Sequence, residues 1–275
     1  MSMPIAKGNI VMYVEVAAHR GNVALCPENT MAAFRSAYEI GADMIELDLH
    51  MSRDGEIVII HDDDLARTAD VSGRIRDLTL EELLRADVGI KRGERWRGAR
   101  IPTFREFLEY AAAADSRMQF NFEFKDYLRN GEDWAKACAD KIVRMVDEYG
   151  LWERSFVNSF DGSLLAYMEG KYDGRFRLHG FYPYDILGEV RPQNLYCACL
   201  WRRKNPDGTK PADAVNPVED FEALKTEGIR PWVGASIRKI EDMVRAAEYG
   251  AELITSNEPE YMIEELAKAG LRVKG

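Results

Sequence analysis

The chain has 275 residues, of which 46% are hydrophobic and 31% are charged, so one large α/β domain with a full core fits its length and composition. Its 37 Lys and Arg residues against 47 Asp and Glu residues give a net charge of −10 at pH 7, opposite in sign to the surface of most nucleic-acid binders. The most basic segment, KRGERWRGAR at 91–100, is interpreted first as a solvated loop and second as an anion contact.

The N-terminal segment lacks the basic start and the unbroken apolar run of a secretion signal, since Glu15 interrupts it. No later run approaches the roughly 18 apolar residues of a membrane span. The four cysteines, Cys26, Cys138, Cys197 and Cys199, have no zinc-type spacing, so reduced and buried thiols are expected. We therefore predict a cytoplasmic protein without stable membrane insertion; its oligomeric state stays open.

Strand-like and helix-like segments alternate along the chain. In the helical segment 30–40, Met31, Phe34, Ala37 and Tyr38 form one apolar stripe, and a glycine follows at the C-cap position. Strands are predicted at 11–18, 43–49, 118–124, 155–159, 175–180, 194–200, 229–234 and 251–255, and helices at 30–40, 132–149, 162–170, 218–227, 237–249 and 259–269. Eight such units predict a parallel (β/α)8 TIM barrel. A doubly wound open sheet is the alternative, but no GxGxxG follows the first strand.

A β-hairpin is predicted after the second strand. The run IVIIH at 57–61 follows that strand across the Asp-Gly dipeptide at 54–55, which is a strong signal for a two-residue hairpin loop. That loop would place Asp48 directly opposite His61. Because side chains alternate along a strand, Glu46, Asp48 and His50 share one face, and His61 would join it from the partner strand.

About 55 residues, 62–117, separate this hairpin from the third barrel strand. They contain two helix-like runs, at 78–86 and 101–114, and the basic segment. We interpret them as an insertion on a single domain that spans residues 1–275. A second long loop, 202–217, is rich in turn-forming residues and follows the seventh strand.

Charged side chains collect where three predicted strands end, which is where barrel enzymes build their sites. The first strand ends in His19 and Arg20, and NFEFK at 121–125 puts Asn121, Glu123 and Lys125 on one face. With the carboxylates of the second strand, these groups would repel one another unless a cation neutralised them. Oxygen ligands of this kind suit one divalent cation, Mg²⁺ or Ca²⁺.

These stretches closely resemble the glycerophosphodiester phosphodiesterase family. The matching segments are HRG at 19–21, PENT at 27–30, GADMIELDLHMSRDGEIVIIHD at 41–62, LART at 65–68, IPTF at 101–104, NFEFK at 121–125, SFD at 159–161, Trp232 and GAELITSNEP at 250–259. The resemblance implies a (β/α)8 barrel and metal-dependent hydrolysis of a small phosphodiester to glycerol 3-phosphate and an alcohol. Where the family often has Trp-Thr-Val-Asn, this chain has Trp-Val-Gly-Ala at 232–235, so the alcohol group stays open.

The resemblance also implies roles for individual residues. Glu46, Asp48 and Glu123 would hold the metal, His19 and His61 would be the acid–base pair, and Arg20 and Lys125 would contact the phosphate. His50 and Trp232 are added as candidates for substrate binding, although the first lies towards the hairpin tip and the second could serve barrel packing. His61 is favoured as the acid because of its predicted place beside Asp48.

Several alternatives stay open. Glu28 and Asn29 are expected to shape a turn before a helix capped by Thr30, with Glu28 as a fourth metal ligand in a second interpretation. His179 is expected to be a core or rim residue. A sphingomyelinase D-like lyase acting on lipid phosphodiesters and a noncatalytic metal-binding barrel are the competing functions. The sequence does not decide between attack by water and attack by a hydroxyl of the substrate through a cyclic phosphate.

Overall fold

The computed structural model describes residues 13–115, 117–209 and 211–272. Residues 11 and 12 of the first predicted strand, residue 116 of the predicted insertion and residue 210 of the long loop lie outside them. Within the described ranges, no helix has the length and apolar character needed to cross a membrane.

The predicted (β/α)8 barrel is confirmed. Eight parallel strands form a closed sheet, because the first strand pairs with both the second and the last. This closure rules out the doubly wound open sheet. The strands are β1 (Glu15–Ala18), β2 (Met44–Met51), β3 (Ile57–Ile59), β4 (Gln119–Phe124), β5 (Ser155–Asn158), β6 (Arg177–Tyr182), β7 (Cys197–Leu200), β8 (Arg230–Val233) and β9 (Leu253–Ser256), of which β3 is the antiparallel hairpin strand.

Helices surround the barrel in the predicted alternation. They are α1 (Met31–Glu39), α2 (Leu80–Leu83), α3 (Phe104–Ala113), α4 (Glu132–Glu148), α5 (Gly162–Lys171), α6 (Val218–Thr226), α7 (Ile240–Tyr249) and α8 (Pro259–Lys268). Strand β2 shows how the two layers are built, since all eight of its residues are buried. Leu47 and Leu49 belong to the main hydrophobic core, whereas Glu46 and Asp48 alternate with them and meet other charged groups inside the barrel.

The hairpin loop is one residue longer than predicted. Leu49 pairs with Ile59, and the Ser52 amide donates to the Glu56 carbonyl oxygen at 2.8 Å, which leaves three residues in the loop. Gly55, the last of these, has a φ of +83°, as three-residue hairpins require at that position. The Asp-Gly dipeptide therefore marks the hairpin correctly but not its loop length.

This difference makes the predicted pairing of Asp48 with His61 wrong. Ile60 takes that place, and its amide donates to the Asp48 carbonyl oxygen at 3.0 Å. Strand β3 has already ended, so His61 belongs to the loop that follows. That loop turns back over the barrel mouth, where the His61 carbonyl oxygen lies 3.3 Å from Nε2 of His50.

Two parts of the predicted insertion pack in different places. Helix α3 contributes Phe104 and Phe107 to the main core, so it is the barrel helix that follows β2. A second, smaller hydrophobic cluster lies between residues 58 and 101. It consists of Val58, Ile60, Leu65, Ala69, Ile75, Leu83, Ala86, Val88 and Ile101. We call residues 62–101 the cap.

The basic segment of the cap binds the loop that follows β1. Arg92 donates from one nitrogen to the carbonyl oxygens of Val23 and Ala24 at 2.9 and 2.7 Å, and Arg95 donates to that of Leu25 at 3.1 Å. The segment is largely exposed, as predicted for a solvated loop, and these guanidinium groups also fasten the cap to the barrel.

Trp232 and His179 lie inside the barrel. The Trp232 side chain is 1% exposed, and its Nε1 donates to Thr255 Oγ1 at 2.8 Å. Its ring stacks on the His179 ring with a centroid separation of 4.1 Å. Trp232 therefore packs the barrel, which corrects its inclusion among the substrate-binding candidates. His179 is a core residue, one of the two interpretations left open for it.

The buried His179 predicts a measurable dependence of stability on pH. Burial lowers its pKa to about 3, whereas an unfolded chain has a histidine pKa near 6.5. The unfolded state therefore binds more protons between these values, and the free energy of unfolding falls as the pH drops from 6.5 towards 3. In His179→Gln we expect this fall to be shallower by up to about 1.4 kcal/mol per pH unit.

Urea unfolding of both proteins at pH 7, 6, 5 and 4, with a chelator present throughout, measures this difference. The variant is expected to be less stable at pH 7, so the comparison uses slopes rather than absolute stabilities. Parallel slopes in the two proteins would contradict the prediction.

Candidate active site

The structure brings the three predicted metal ligands together. Glu46 and Asp48 come from β2, and the parallel register of β2 with β4 sets Asp48 beside Glu123. Each offers a carboxylate oxygen that lies within 4.8 Å of the other two. All three side chains are buried, and they lie at the carboxyl mouth of the barrel, since Glu46 follows the residue that pairs with Ala18 at the end of β1 and Glu123 is next to last in β4. This position is the one expected from strand alternation alone.

The electrostatics of this carboxylate cluster call for a cation. Burial, with added repulsion from Asp48 and Glu123, raises the pKa of Glu46 well above its usual value. Oε1 of Glu46 has no hydrogen-bond partner among the described residues. An unpaired carboxylate oxygen is costly to bury, so these three residues fit a hard divalent cation bound through oxygen.

Lys125 neutralises part of the cluster. Its Nζ lies 3.1 Å from Asp48 Oδ1 and is hydrogen-bonded to Glu123. Burial disfavours its charge, but these carboxylates outweigh that effect and raise the pKa of Lys125, so it carries a full charge. Burial likewise opposes ionisation of Asp48, but Lys125 and Arg20 prevail and lower the pKa of Asp48.

Arg20 is held at the mouth of the barrel by a strained loop. The residue has a left-handed φ of +58°, which lets its amide donate to Glu46 Oε2 at 2.8 Å. Its side chain lies between Glu28, at 3.0 Å, and Asp48, at 3.4 Å. The next residue, Gly21, has to be a glycine, because a Cβ at that position would lie 2.6 Å from the Cβ of Ala33 in α1.

Asn29 is a site residue whose contact the sequence did not reveal. It is buried with a φ of +54°, and its Nδ2 donates to Asp48 Oδ2 at 2.7 Å. Thr30 caps α1 as predicted, accepting from the Ala33 amide. Glu28 turns away from the carboxylate cluster towards arginines, which does not fit its alternative role as a fourth ligand.

His19 is positioned as a proton acceptor. Its Nδ1 lies 2.6 Å from Oδ1 of Asn257, just beyond β9, and its Nε2 lies 4.0 Å from Glu46 Oε2. Burial and then the charge of Arg20 lower its pKa to about 4, so the ring is neutral at pH 7. The partner Asn257 lies in the GAELITSNEP segment, but no sequence pattern indicates this contact.

His61 lies at the other side of the site and is 30% exposed through its side chain. Its Nδ1 lies 2.5 Å from Asp62 Oδ1, so Asp62 orients the ring. Burial lowers the pKa of His61, an effect that Asp48 partly offsets. With Nδ1 engaged by Asp62, Nε2 is the nitrogen left for substrate.

His50 lines the open cleft beside His61 and Lys125, and its contact with substrate stays a prediction. The residue is 4% exposed, its Nδ1 lies 3.0 Å from Asp126 Oδ1, and its Nε2 faces the His61 carbonyl oxygen. Both ring nitrogens are therefore taken by the protein. Its face was predicted correctly, but the contacts indicate support for the His61 loop.

An open cleft of about 890 Å³ adjoins His61 and Lys125. Phe160 and Trp201 line it with an edge-to-face contact, their ring centroids 5.6 Å apart. Tyr127 adds a third aromatic side chain. A small phosphodiester can therefore reach His61 and Lys125 from solvent, with aromatic faces beside it.

Comparison with known proteins agrees along nearly the whole chain. The model of the glycerophosphoryl diester phosphodiesterase family matches residues 19–260. A glycerophosphodiester phosphodiesterase of Caldanaerobacter subterraneus subsp. tengcongensis is 33% identical over 257 residues, which cover 93% of this chain and 98% of that protein.

Solved structures share the fold. The Oleispira antarctica phosphodiesterase in complex with the product sn-glycerol-3-phosphate has a TM-score of 0.76 at 22% identity, over 93% of this chain and 97% of that one. The glycerophosphodiester phosphodiesterase of Thermotoga maritima has a TM-score of 0.66 at 24% identity, over 92% and 98% of the two chains.

Proposed function

Because the chain belongs to the glycerophosphoryl diester phosphodiesterase family and is an enzyme of that kind, we propose how it cleaves its substrate. Glycerophosphodiesters are hydrolysed to glycerol 3-phosphate and an alcohol, with proton transfer by His19 and His61. Glu46, Asp48 and Glu123 hold one divalent cation, Mg²⁺ or Ca²⁺. The observation that carries this proposal is a buried, undercompensated carboxylate cluster with one histidine on each side of it.

Arg20 and Lys125 bind the phosphate in this proposal. Both are cationic side chains that already neutralise Asp48, and Lys125 also lines the cleft. An arginine fork can contact two phosphate oxygens at once, whereas a lysine acts as a point charge. When bound, the divalent cation supplies Lewis-acid polarisation of the phosphoryl group.

The two histidines divide the proton transfers. Neutral His19 takes the proton from the attacking hydroxyl as its oxygen bonds to phosphorus. Protonated His61, with Nδ1–H held by Asp62, donates from Nε2 to the alcohol oxygen as the phosphorus–oxygen bond breaks. The neutral His19 ring is free to accept a proton, which is consistent with its role as base. Burial lowers the pKa of His61, but the Asp62 carboxylate at Nδ1 favours the protonated ring, and its exposure to the cleft supports its role as acid.

Release of glycerol 3-phosphate from glycerophosphocholine tests the proposed function. We expect activity to disappear when a chelator is added and to return with Mg²⁺ or Ca²⁺, and titration of the two ions ranks them. A 31P NMR time course detects a cyclic phosphate if a substrate hydroxyl attacks first. Activity that is unchanged by prolonged chelation would contradict the metal proposal.

A panel of alcohol groups, including ethanolamine, inositol and glycerol, identifies the preferred substrate. Activity on sphingomyelin or lysophosphatidylcholine alone would favour the lipid phosphodiester class instead. Inactivity on every diester would favour a noncatalytic barrel. All four cysteines are buried and free, which supports a reducing compartment such as the cytoplasm, and the shared main core supports a single domain.

A further inference from the structure

Arg67 of the cap joins two parts of the site without lining the cleft. It ends a short 3-10 turn, Leu65–Arg67, that Asp64 caps. Its Nε donates to Asp62 Oδ2 at 2.5 Å, and its two terminal nitrogens donate to the carboxylate oxygens of Glu28 at 2.8 and 2.7 Å. All three nitrogens of one guanidinium are therefore used on two carboxylates, a geometry that lysine cannot reproduce.

Each of these carboxylates also contacts a proposed functional side chain. Asp62 holds Nδ1 of His61 through its other oxygen, and Glu28 lies 3.0 Å from a terminal nitrogen of Arg20. Arg67 is thus the middle of a continuous series of charged contacts from His61 to Arg20.

We infer that Arg67 is a positioning residue for the acid–base step, an inference that rests on the proposed function. By fixing one oxygen of Asp62, Arg67 directs the other to Nδ1 of His61 and so keeps Nε2 facing the leaving alcohol. By fixing Glu28, it sets the direction of the Arg20 guanidinium. The same arginine therefore adjusts proton donation and phosphate binding together.

A structural role alone would give a different pattern of effects. The Arg67 side chain is 46% exposed, and exposed ion pairs contribute little to global stability. Loss of Arg67 should therefore change catalysis more than unfolding. The fall in kcat should be largest for substrates whose leaving group needs a proton, because a misdirected His61 donates that proton poorly.

Two esters of glycerol 3-phosphate that differ only in the alcohol separate these effects. The choline ester leaves as an alkoxide that needs protonation, whereas the p-nitrophenyl ester leaves as a stable anion. In Arg67→Met we expect kcat for the choline ester to fall by about 10- to 100-fold, as when an outer-shell partner of an active-site histidine is lost. The fall for the p-nitrophenyl ester should be several-fold smaller.

Three further variants sharpen the test. Arg85→Met removes another exposed cap arginine, whose one ion pair among the described residues is with Glu81 four positions earlier, and it should leave both rates unchanged. Arg67→Lys should recover only part of the loss. Arg67→Met should add little to Asp62→Asn, because residues that act as one unit are not additive.

Equal losses on the two esters, no loss on either, or full additivity with Asp62→Asn would overturn the inference. A fall in Tm beyond that of Arg85→Met, together with an equal loss on both esters, would assign Arg67 a purely structural role. Inactivity of the unmodified chain towards both esters would instead overturn the proposed function, and this inference with it.

Discussion

Replacing either His19 or His61 by alanine is expected to lower kcat by about 10²- to 10⁴-fold, the usual contribution of one general acid or base. Neither residue belongs to the carboxylate cluster, so metal binding and folding should be nearly unchanged. The double variant should lose less than the product of the two single losses, since the residues serve one reaction.

The choline and p-nitrophenyl esters of glycerol 3-phosphate also show which histidine is the acid and which is the base. Loss of the acid should harm the choline ester of glycerol 3-phosphate much more than the p-nitrophenyl ester, whereas loss of the base should harm both alike. We therefore expect an ester-dependent effect for His61→Ala and an even effect for His19→Ala. Reversed patterns would exchange the roles.

His179→Gln is the matched control, because that ring lies inside the barrel against Trp232. Its effect should be on stability and not on kcat. Binding of Mg²⁺ and Ca²⁺ to each variant by calorimetry verifies that the metal site survives. Near-normal turnover in either His19→Ala or His61→Ala would reject the acid–base pair.

Replacing Glu46 by glutamine is expected to abolish metal-dependent stabilisation while sparing the metal-free fold. The carboxyl is buried beside two others, and burial and their repulsion raise its pKa, which means that the metal-free protein disfavours its charged form. Glutamine preserves that shape without the charge. Without metal, the Tm of Glu46→Gln should therefore equal or exceed that of the unmodified chain.

With metal, the Tm of Glu46→Gln should fall below that of the unmodified chain. A cation at one hundred times its Kd stabilises the folded state by about 2.7 kcal/mol, and the variant should lose most of this gain. Thermal unfolding with and without Mg²⁺ or Ca²⁺ measures it. Glu56→Gln, a carboxylate of the hairpin that pairs with Lys141, is the control that should keep the full gain. An equal metal-dependent shift in Glu46→Gln would contradict the proposed ligand set.

The barrel and the carboxylate cluster could be predicted because both follow from local periodicity. Alternation on β2 and β4 alone sets Glu46, Asp48 and Glu123 on one interior face. The predicted register of the hairpin was wrong for an equally local reason. Asp-Gly occurs in loops of two and of three residues, and one extra residue changes every opposed pair.

The supporting contacts could not be predicted, because they join residues far apart in sequence. Asn257 is 238 residues from His19, and Arg67 is 39 residues from Glu28. These contacts form only when the long loops pack on the folded barrel. The prediction for Trp232 was wrong for another reason, since the sequence does not indicate whether an aromatic residue on a barrel strand faces the core or the cleft.

The cap and the barrel have separate hydrophobic clusters, and this division has a consequence for the working temperature of the enzyme. The smaller cluster packs the cap on Val58 and Ile60 of the hairpin, and a segment held by so small a cluster and by charged contacts can detach while the larger core stays intact. The cap begins directly after His61, supplies its partner Asp62, and restrains Arg20 through Arg67 and Glu28. Such partial opening would therefore stop catalysis. The limit of heat tolerance is then set by the attachment of the cap rather than by the melting of the barrel.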